Sequence, residues 1–334
     1  MQTQPDFAVD VMVATCNRAQ LITPIVESLR NSTGVDLRVW IMDQSDNDAT
    51  AEVVQRLAQA DPRINYVRIE VKGWSTAHNI GASLGQAPYL LFTDDDCRVD
   101  PGWAAALASS LADQQTWGAF GRILDETTEQ SASDDVTPGL RLAVKMSTER
   151  AVYRDNRFNL GFGHGANMSL RRDAWQRLGG FDEALGPGAV LRSGADRDIG
   201  YRILAEGGQI VYTPDALVYH NQWRNWPAVW RAFRNYGIGT GATAGKYLRY
   251  GDLGGLVLLI EWVLNQGLRQ VLSGLIKWRS WQKTAIGLQQ FVMPLYGLVR
   301  SLRVPLSREH RVYKITKSRA YRLGYGKDEP SEAL

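Results

Sequence analysis

The sequence is poor in the residues from which structural metal sites are built. Its 334 residues include only two cysteines, Cys16 and Cys97, and four histidines. No CxxC pair and no Cys/His cluster is present, so a structural zinc site is not expected. The scarcity of cysteine favours a reducing compartment, and we predict a cytoplasmic protein.

Long uninterrupted apolar runs are also scarce. The first residues, MQTQPDFAVDVMV, lack a basic region followed by a long apolar core, so no signal peptide is predicted. No stretch before residue 250 is long and apolar enough to span a bilayer. The hydrophobic content, 44%, is that of an ordinary globular protein, which is sufficient for the core of one large or two modest domains.

The small net charge of +3 conceals a segregation of the two signs. Residues 269–327 contain 13 Lys and Arg against one acid, Glu309, whereas residues 1–268 contain 25 basic and 31 acidic side chains. The protein is therefore predicted to have an acidic body and a basic tail. Such a tail suits an anionic membrane face, nucleic acid or an acidic partner.

The first hundred residues alternate short apolar segments with stretches of helical character. The short segments are VDVMVAT, LRVWIMD, INYVRIE and YLLFTD. This alternation predicts βαβα units, and hence an α/β fold with a Rossmann-like, mostly parallel sheet flanked by helices. Ligands bind such sheets beyond the carboxyl ends of the strands. The residues at those ends are therefore the first candidates for function.

Polar side chains follow all four predicted strands. In sequence order they are Thr15 and Arg18, Asp43, Lys72 and Trp74, and the run Asp94, Asp95 and Asp96. Three adjacent carboxylates repel one another and resist burial unless a positive group lies beside them. Such a cluster suits Mg2+ or Mn2+ shared with the phosphates of a nucleotide diphosphate. A helix cap or a solvated acidic turn is the alternative interpretation.

The composition changes near residue 222, where we place the boundary between a domain of residues 1–222 and a C-terminal region of residues 223–334. Six of the eleven tryptophans lie in the second region. In the segment 256–277, polar residues recur every four positions opposite Leu, Val and Ile, which predicts an amphipathic helix. Together with the basic charge, this pattern favours a helical region that lies on a membrane over one that binds nucleic acid. A solvated basic face packed on the first domain is the alternative.

The order of the motifs resembles that of the family 2 glycosyltransferases, nucleotide-sugar-dependent enzymes with a GT-A fold. VMVATCNR is similar to the opening strand of that family and its Thr-x-Asn-Arg end, and VWIMDQSDNDAT to its Asp-Asp-Gly-Ser-x-Asp-Gly-Thr segment. GWSTAHNIGASLGQAPYLLFTDDD resembles the Ala-Arg-Asn-x-Gly run that leads into the Asp-x-Asp motif. GANMSLRRDAWQRLGGFDE and GADRDIGYRIL resemble the acceptor segment and the Glu-Asp motif. Each motif alone has low specificity, but five in the family's order are a strong signal.

The resemblance implies a nucleotide-binding set at the strand ends. Asp43 would accept a hydrogen bond from the nucleobase, which is uracil in many members of the family. Thr15 and Arg18 would line the same pocket, and Lys72 and His78 are expected to belong to the same set.

The resemblance also implies a cation site. Asp94 would face the ribose or the cation, and Asp96 would hold the cation. His220, at the end of the predicted strand QIVYTPDALVYH, would bind the cation or contact the diphosphate, because a neutral imidazole coordinates metals and a protonated one pairs with phosphate.

The remaining candidates belong to the sugar side of the site. Asp196 is the expected general base, which takes the proton from an acceptor hydroxyl; a cap for the helix that follows it is the alternative role. Trp74, His164, Asn167 and Asp95 are expected near the donor or acceptor sugar.

Three positions depart from the family pattern. Ala195 precedes Asp196 where the family has Glu before Asp, His78 replaces the Arg of the Ala-Arg-Asn run, and Gln44 replaces the second Asp of the nucleotide segment. These changes affect the neighbour of the expected base and the expected contacts with the diphosphate.

These expectations combine into an inverting glycosyltransferase that moves a sugar from a nucleotide-diphosphate donor, with a UDP-sugar favoured, to a hydroxyl of a saccharide or lipid-linked acceptor. The expected cofactor is Mg2+ or Mn2+, and the expected location is peripheral, at the inner face of the cell membrane. No nucleic-acid partner is expected. Two alternatives stay open. One is a sugar nucleotidyltransferase, although TCNRAQLITP lacks the glycine expected of a triphosphate loop; the other is a non-catalytic nucleotide-sugar-binding module.

Overall fold

The computed structural model describes residues 7–126, 142–307, 309–315, 320–324 and 332–333. Within these residues the strands form one 11-stranded mixed sheet. The first half of this sheet contains the strands β1 (Phe7–Thr15), β2 (Val35–Asp43), β3 (Ile64–Ile69) and β4 (Tyr89–Asp94), and the helices α1 (Ile22–Arg30), α2 (Ala49–Ala60) and α3 (Trp74–Leu84). These four strands are parallel and lie in the order β3-β2-β1-β4. The predicted βαβα arrangement is confirmed.

The second half of the sheet is mostly antiparallel. Its elements are β5 (Cys97–Val99), α4 (Trp103–Ser110), β6 (Thr116–Glu126), β7 (Ala151–Tyr153), β8 (Asn167–Arg171), α5 (Arg172–Arg177), α6 (Ala195–Ala205) and β9 (Gln209–Asn221). From β4 the sheet continues through β8, β6, β9 and β5, and β7 pairs with β9. Only β6 and β9 are parallel to each other in this half of the described structure. The sheet is therefore mixed, with its parallel part on the N-terminal side.

Apolar side chains fill both faces of the sheet. In β1, Val11 and Val13 belong to one buried cluster, which includes Ile25 of α1 and Trp103 of α4. Met12, between these two valines, belongs to a second cluster together with residues of α3 and α6. Because successive side chains of a strand point to opposite faces, the division shows that helices cover the sheet on both sides.

The C-terminal region consists mainly of packed helices, α7 (Trp226–Arg249), α8 (Gly254–Trp262), α9 (Arg269–Leu272) and α10 (Trp281–Ser301). Helices α8 and α9 belong to one continuous helical segment, residues 254–277, in which Val263–Leu268 and Ser273–Lys277 form wider π-type turns. The predicted helix over 256–277 is thus confirmed. Gly241 of α7 lies against the carbonyl group of Pro294 of α10, where a Cβ atom would clash.

A buried ion network joins these helices to the sheet domain. The Lys246 ammonium group on α7 lies 2.7 Å from a carboxylate oxygen of Asp182 and 2.5 Å from one of Asp198. Asp198 on α6 also pairs with Arg202 and accepts a hydrogen bond from the hydroxyl of Tyr247. These contacts fix α6 against α7.

The end of the chain returns to the sheet. Strand β10 (Ala320–Leu323) pairs antiparallel with β3, where Tyr321 lies opposite Ile69, and β11 (Glu332–Ala333) pairs with β10. The C-terminal region is therefore not wholly helical, and the domain boundary at residue 222 stays a prediction. In the part of the chain that the structure describes, no helix has the length and hydropathy needed to cross a membrane.

Candidate active site

Three residues from separate motifs meet at one edge of the sheet. Thr15 ends β1, Asp43 ends β2, and Asp94 ends β4. Thr15 lies opposite Asp43 in the pairing of β1 with β2, and Ala14 lies opposite Asp94 in the pairing of β1 with β4. The parallel register thus brings the predicted strand-end residues together.

Asp43 is fully buried and held in a hydrogen-bond network. Its Oδ2 atom accepts hydrogen bonds from the hydroxyl of Tyr66 at 2.8 Å and from Arg68 Nη1 at 3.0 Å, and its Oδ1 atom accepts one from the backbone N–H of Ser45. Burial, together with the nearby Asp43 charge, raises the pKa of Tyr66. The neighbouring Gln44 does not extend this network, because its amide donates to the carbonyl groups of residues 71 and 73.

Asp95 points away from its two neighbours, toward β1. It accepts a hydrogen bond from the Thr15 hydroxyl at 2.7 Å and pairs with the Arg18 guanidinium at 2.6 Å. Burial raises the pKa of Asp95 to about 7, although the Arg18 charge opposes this shift. Asp95 therefore contacts Thr15 and Arg18 and does not line the open cavity, where it was expected near a sugar.

Of the three adjacent carboxylates, Asp96 has the most cationic and N–H partners. Arg18 Nη1 lies 3.3 Å from its Oδ2 atom, and the Trp223 indole N–H donates to the same atom at 2.8 Å. Arg224 lies 3.9 Å away, and His220 Nε2 is 3.4 Å from Oδ1. Burial acts to raise the pKa of Asp96, but the nearby His220 and arginines outweigh it and hold this pKa well below its usual range.

His220 is oriented by Gln222. The Gln222 amide accepts from the backbone N–H of Leu142 and donates to the carbonyl group of that residue, which fixes which end of the amide is NH2. The same NH2 group lies 2.9 Å from His220 Nδ1. In this arrangement Nδ1 accepts, so the ring proton is on Nε2 and faces Asp96. Burial acts to lower the pKa of His220, but Asp96 outweighs it and raises this pKa.

These carboxylates fit a divalent cation. Asp96 Oδ1 is buried and accepts no well-formed hydrogen bond among the described residues, and Asp96, Cys97 and His220 bring ligand atoms within 4.8 Å of one another. Burial raises the pKa of the Cys97 thiol well above its usual value, so sulfur is a poor ligand here. Carboxylate oxygens at the end of β4 are ligands that suit Mg2+ or Mn2+, and His220 lies beside them with its Nε2–H toward Asp96.

A cavity of about 400 Å3 opens beside this cluster. Asp94 lies on one wall, where its Oδ1 atom accepts a hydrogen bond from the Trp74 indole N–H at 3.1 Å. Burial and the neighbouring Asp96 raise the pKa of Asp94. Asp196 and His164 also line the cavity, so candidates predicted from four sequence segments share one space.

Asp196 is presented by the first turn of α6. The helix begins at Ala195, and its N-cap is Gly194, whose φ of 93° is in the left-handed region that glycine tolerates. Asp196 is thus not the cap itself. Its Oδ2 atom accepts a hydrogen bond from the backbone N–H of Gly165 at 3.1 Å. Burial lowers the pKa of the nearby His164, while the Asp196 charge opposes this shift.

Three predicted site residues belong neither to the cavity nor to the hydrogen-bonded networks of Asp43, Asp95 and Asp96. His78 is completely buried in an aromatic cluster with Trp74 and Phe92, and Asn167 is buried with its amide bonded to backbone carbonyl groups and to the Trp103 indole. Lys72 lies outside in an exposed pair with Asp46 at 2.8 Å. The replacement of Arg by His at position 78 therefore alters the core rather than the cavity.

Several cavity residues were not found from the sequence. Arg197, Tyr236, Trp262 and Gln266 line the cavity, and three of these four come from the C-terminal helices. Their only signal was the clustering of tryptophans after residue 222, which indicated a change of domain but no site.

The fold is similar to those of solved glycosyltransferases. A mannosyltransferase from Pyrobaculum calidifontis, solved in complex with GDP-Man and Mn2+, aligns with a TM-score of 0.59 and 15% identity over 90% of this chain and 88% of that chain. GalNAc-T7, solved with UDP, GalNAc and Mn2+, aligns with a TM-score of 0.52 and 18% identity over 75% of this chain and 53% of that chain. At these identities the similarity concerns the fold.

The sequence is similar to curated glycosyltransferases and biosynthesis proteins. The succinoglycan biosynthesis protein ExoA of Rhizobium meliloti is 25% identical over 283 residues, which is 81% of this chain and 79% of that protein. The pre-mycofactocin glycosyltransferase of Mycobacterium tuberculosis is 27% identical over 234 residues, 66% of this chain and 44% of that protein. The family model described as glycosyl transferase family 2 matches residues 10–179, just over half of the chain. The chain therefore belongs to glycosyl transferase family 2 and is a glycosyltransferase.

Proposed function

We propose that this glycosyltransferase moves a sugar from a nucleotide-diphosphate donor, with a UDP-sugar favoured, to a hydroxyl of a saccharide or lipid-linked acceptor. The observation that carries the proposal is that Asp94, from the strand-end cluster, and Asp196, from a distant part of the chain, line one cavity. Asp94 and Asp96 lie at the end of β4, and Asp196 lies in the first turn of α6. Asp94 and Asp96 suit a diphosphate and its cation, and Asp196 suits an acceptor hydroxyl.

On the donor side, Asp43 and Thr15 would contact the nucleoside, and Arg18 would hold the strand-end carboxylates in place. Asp94 and Asp96 would bind Mg2+ or Mn2+, which would offset the negative charge that grows on the departing diphosphate. His220 presents Nε2–H beside Asp96, an arrangement suited to donating a hydrogen bond to a diphosphate oxygen.

On the acceptor side, Asp196 would take the proton from the attacking hydroxyl. Its Oδ2 atom is anchored by the Gly165 N–H, which keeps the carboxylate directed into the cavity. Direct attack on the anomeric carbon from the face opposite the diphosphate inverts its configuration. Trp74 and His164, which also line the cavity, would contact the donor or acceptor sugar.

The C-terminal helices would place the enzyme on the cytoplasmic face of the membrane. Large apolar side chains are exposed on both helical segments, including Leu275, Ile276, Trp281 and Leu295. They lie within the strongly basic stretch 269–327, and such a combination binds anionic lipid surfaces. Flotation with vesicles would test this placement: binding to anionic vesicles is expected, and its absence would contradict the proposal.

Replacement of Asp196 by Asn tests the assigned base. The variant should retain donor affinity but lose about 10²- to 10⁴-fold in transfer rate, which is the usual contribution of a positioned base. The measurements are nucleotide release from a panel of nucleotide sugars and donor titration, and NMR of the product would report its anomeric configuration. Asp215→Asn, at an exposed position of β9, is the matched control and should be unaffected. An unchanged rate for Asp196→Asn would rule out the role of base.

A further inference from the structure

A second open space adjoins the catalytic cavity. It is a polar groove of about 450 Å3 along residues 261–273 of the C-terminal helical segment. Arg197, Trp262 and Gln266 line both the groove and the cavity, so the two spaces adjoin each other. Because Arg197 follows Asp196, the groove begins beside the proposed base.

The wide turns of the helix align the groove residues. Glu261, Asn265, Arg269 and Ser273 are four positions apart and all line the groove. In a regular α-helix, residues at this spacing rotate by about 40° per step around the axis. The π-type turns at Val263–Leu268 hold more residues per turn and reduce this rotation. The sequence spacing and the local helix geometry together keep one continuous polar row.

The groove carries a net positive charge. Its charged residues are Arg197, Arg269 and Glu261. Arg269 is exposed and forms no ion pair with a carboxylate among the described residues. Gln266 and Gln270 add amide groups that donate and accept hydrogen bonds. A guanidinium beside amides is the surface that recognises phosphate and neighbouring sugar hydroxyls.

An apolar row lies directly beside the polar one. Leu264, Leu268 and Leu272 each precede a residue of the polar row, and each is 45–52% exposed. The opposite side of the helix is closed by α10, where Gly287 packs against the backbone of Val271. One helix thus offers a polar groove and an open apolar strip side by side.

We propose that this groove binds the phosphate or diphosphate group of a lipid-linked acceptor, with Arg269 and Arg197 as its anion contacts. The inference rests on the proposed function and specifies its acceptor. An amphiphile with an anionic link between sugar and hydrocarbon matches both rows, because its phosphate faces Arg269 while its chain follows Leu264, Leu268 and Leu272. The sugar then lies at Trp262, where an aromatic face suits the apolar face of a sugar ring, with its hydroxyl toward Asp196.

Binding of farnesyl diphosphate to the full chain, without donor and without divalent cation, tests the groove separately from transfer. Arg269→Gln should weaken this binding about tenfold or more, since a charge-assisted contact is lost. Arg269→Lys keeps the charge and should retain part of the affinity. Arg231→Gln, at an exposed position of α7 outside the groove, should bind like the unchanged protein.

Three results would overturn the inference. The first is equal affinity of Arg269→Gln and the unchanged protein for farnesyl diphosphate. The second is inorganic diphosphate binding as tightly as farnesyl diphosphate, because the apolar row would then contribute nothing. The third is an Arg269→Gln defect confined to adsorption on anionic vesicles that lack acceptor, which would assign the phosphate contact to membrane lipids. Failure of the unchanged protein to release nucleotide from any nucleotide sugar would instead contradict the proposed function.

Discussion

Two groups of buried carboxylates in this protein have opposite surroundings. The strand-end cluster, residues 94–96, adjoins an open cavity and is paired with Arg18 and with the cavity residue His220. The inter-helix cluster, formed by Asp182, Asp198 and Lys246, has side chains that are completely inaccessible to solvent. In the first group the Arg18 side chain is partly exposed to solvent; in the second, the Lys246 side chain is completely buried.

The difference separates a binding site from a structural contact. Asp96 Oδ1 is buried without a well-formed hydrogen bond, which leaves it available to a cation. Both carboxylates of the inter-helix cluster are satisfied by Lys246, and Tyr247 and Arg202 complete the network. Buried charge alone therefore does not indicate a functional site, whereas a buried carboxylate with an unused lone pair beside a cavity does.

The largest expected effect is on activity, from Asp96→Asn. Loss of a cation ligand should remove several kcal/mol of transition-state stabilisation, and hence about 10³-fold or more of the transfer rate. Thermal unfolding should occur at a somewhat lower temperature, because His220 and the arginines that hold the pKa of Asp96 below its usual range lose their negative partner. The rate and the unfolding midpoint should both be measured. An unchanged transfer rate per folded molecule would mean that both clusters are structural.

The next effect is on stability, from Lys246→Met. This change leaves Asp182 and Asp198 buried without their cation, and breaking such a pair typically costs about 3 to 5 kcal/mol. Denaturant unfolding of the variant should show this loss, while activity per folded molecule changes little. Lys72→Met, which removes the exposed pair with Asp46, should leave the unfolding midpoint unchanged. A loss of activity with full stability would reverse the assignment of the inter-helix cluster.

The smallest effect comes from His78, in the aromatic cluster with Trp74 and Phe92, and it is a change in how the free energy of unfolding depends on pH. Burial lowers the pKa of His78 to about 3, so below about pH 6.5 the unfolded chain takes up a proton that the folded protein excludes. Stability should therefore fall with falling pH by about 1.4 kcal/mol per unit from this group. His78→Phe, which suits the aromatic cluster with Trp74 and Phe92, should reduce that slope between pH 6.5 and 4.

The activity of the same variant tests the position of His78. Because both ring nitrogens are buried without hydrogen-bond partners in the described structure, His78→Phe should retain transfer. A strong loss of nucleotide affinity would show that His78 contacts the donor, as the resemblance implied. An unchanged acid slope would contradict the neutral, buried state.

The strand-end residues could be predicted because their geometry follows from the order of the chain. Parallel strands align their carboxyl ends, so Thr15, Asp43 and Asp94 had to meet once the βαβα pattern was recognised. Asp196 could be predicted from its motif, but not its anchoring by Gly165. Residue type at a motif position did not reveal side-chain direction, and for this reason His78 and Asn167 were expected in the site although they lie in the core.

The contribution of the C-terminal helices could not be predicted. Trp262 and Gln266 reach the cavity only because α7, α8 and α10 pack in one particular arrangement. Such packing depends on many small contacts, including Gly241 against Pro294, that leave no periodic signal. The four-residue spacing of polar residues did predict the amphipathic helix, but the π-type turns that make this spacing a straight row are visible only in the structure.

The pairing of β10 with β3 has a consequence for biosynthesis. Ile69 is synthesised long before its partner Tyr321, because the two lie far apart along the chain. Until the ribosome has synthesised β10, the side of β3 that pairs with it carries unpaired backbone N–H and C=O groups, a surface that promotes association between nascent chains. A chaperone that shields this strand during translation, or slow synthesis at reduced temperature, would therefore be expected to raise the yield of folded enzyme.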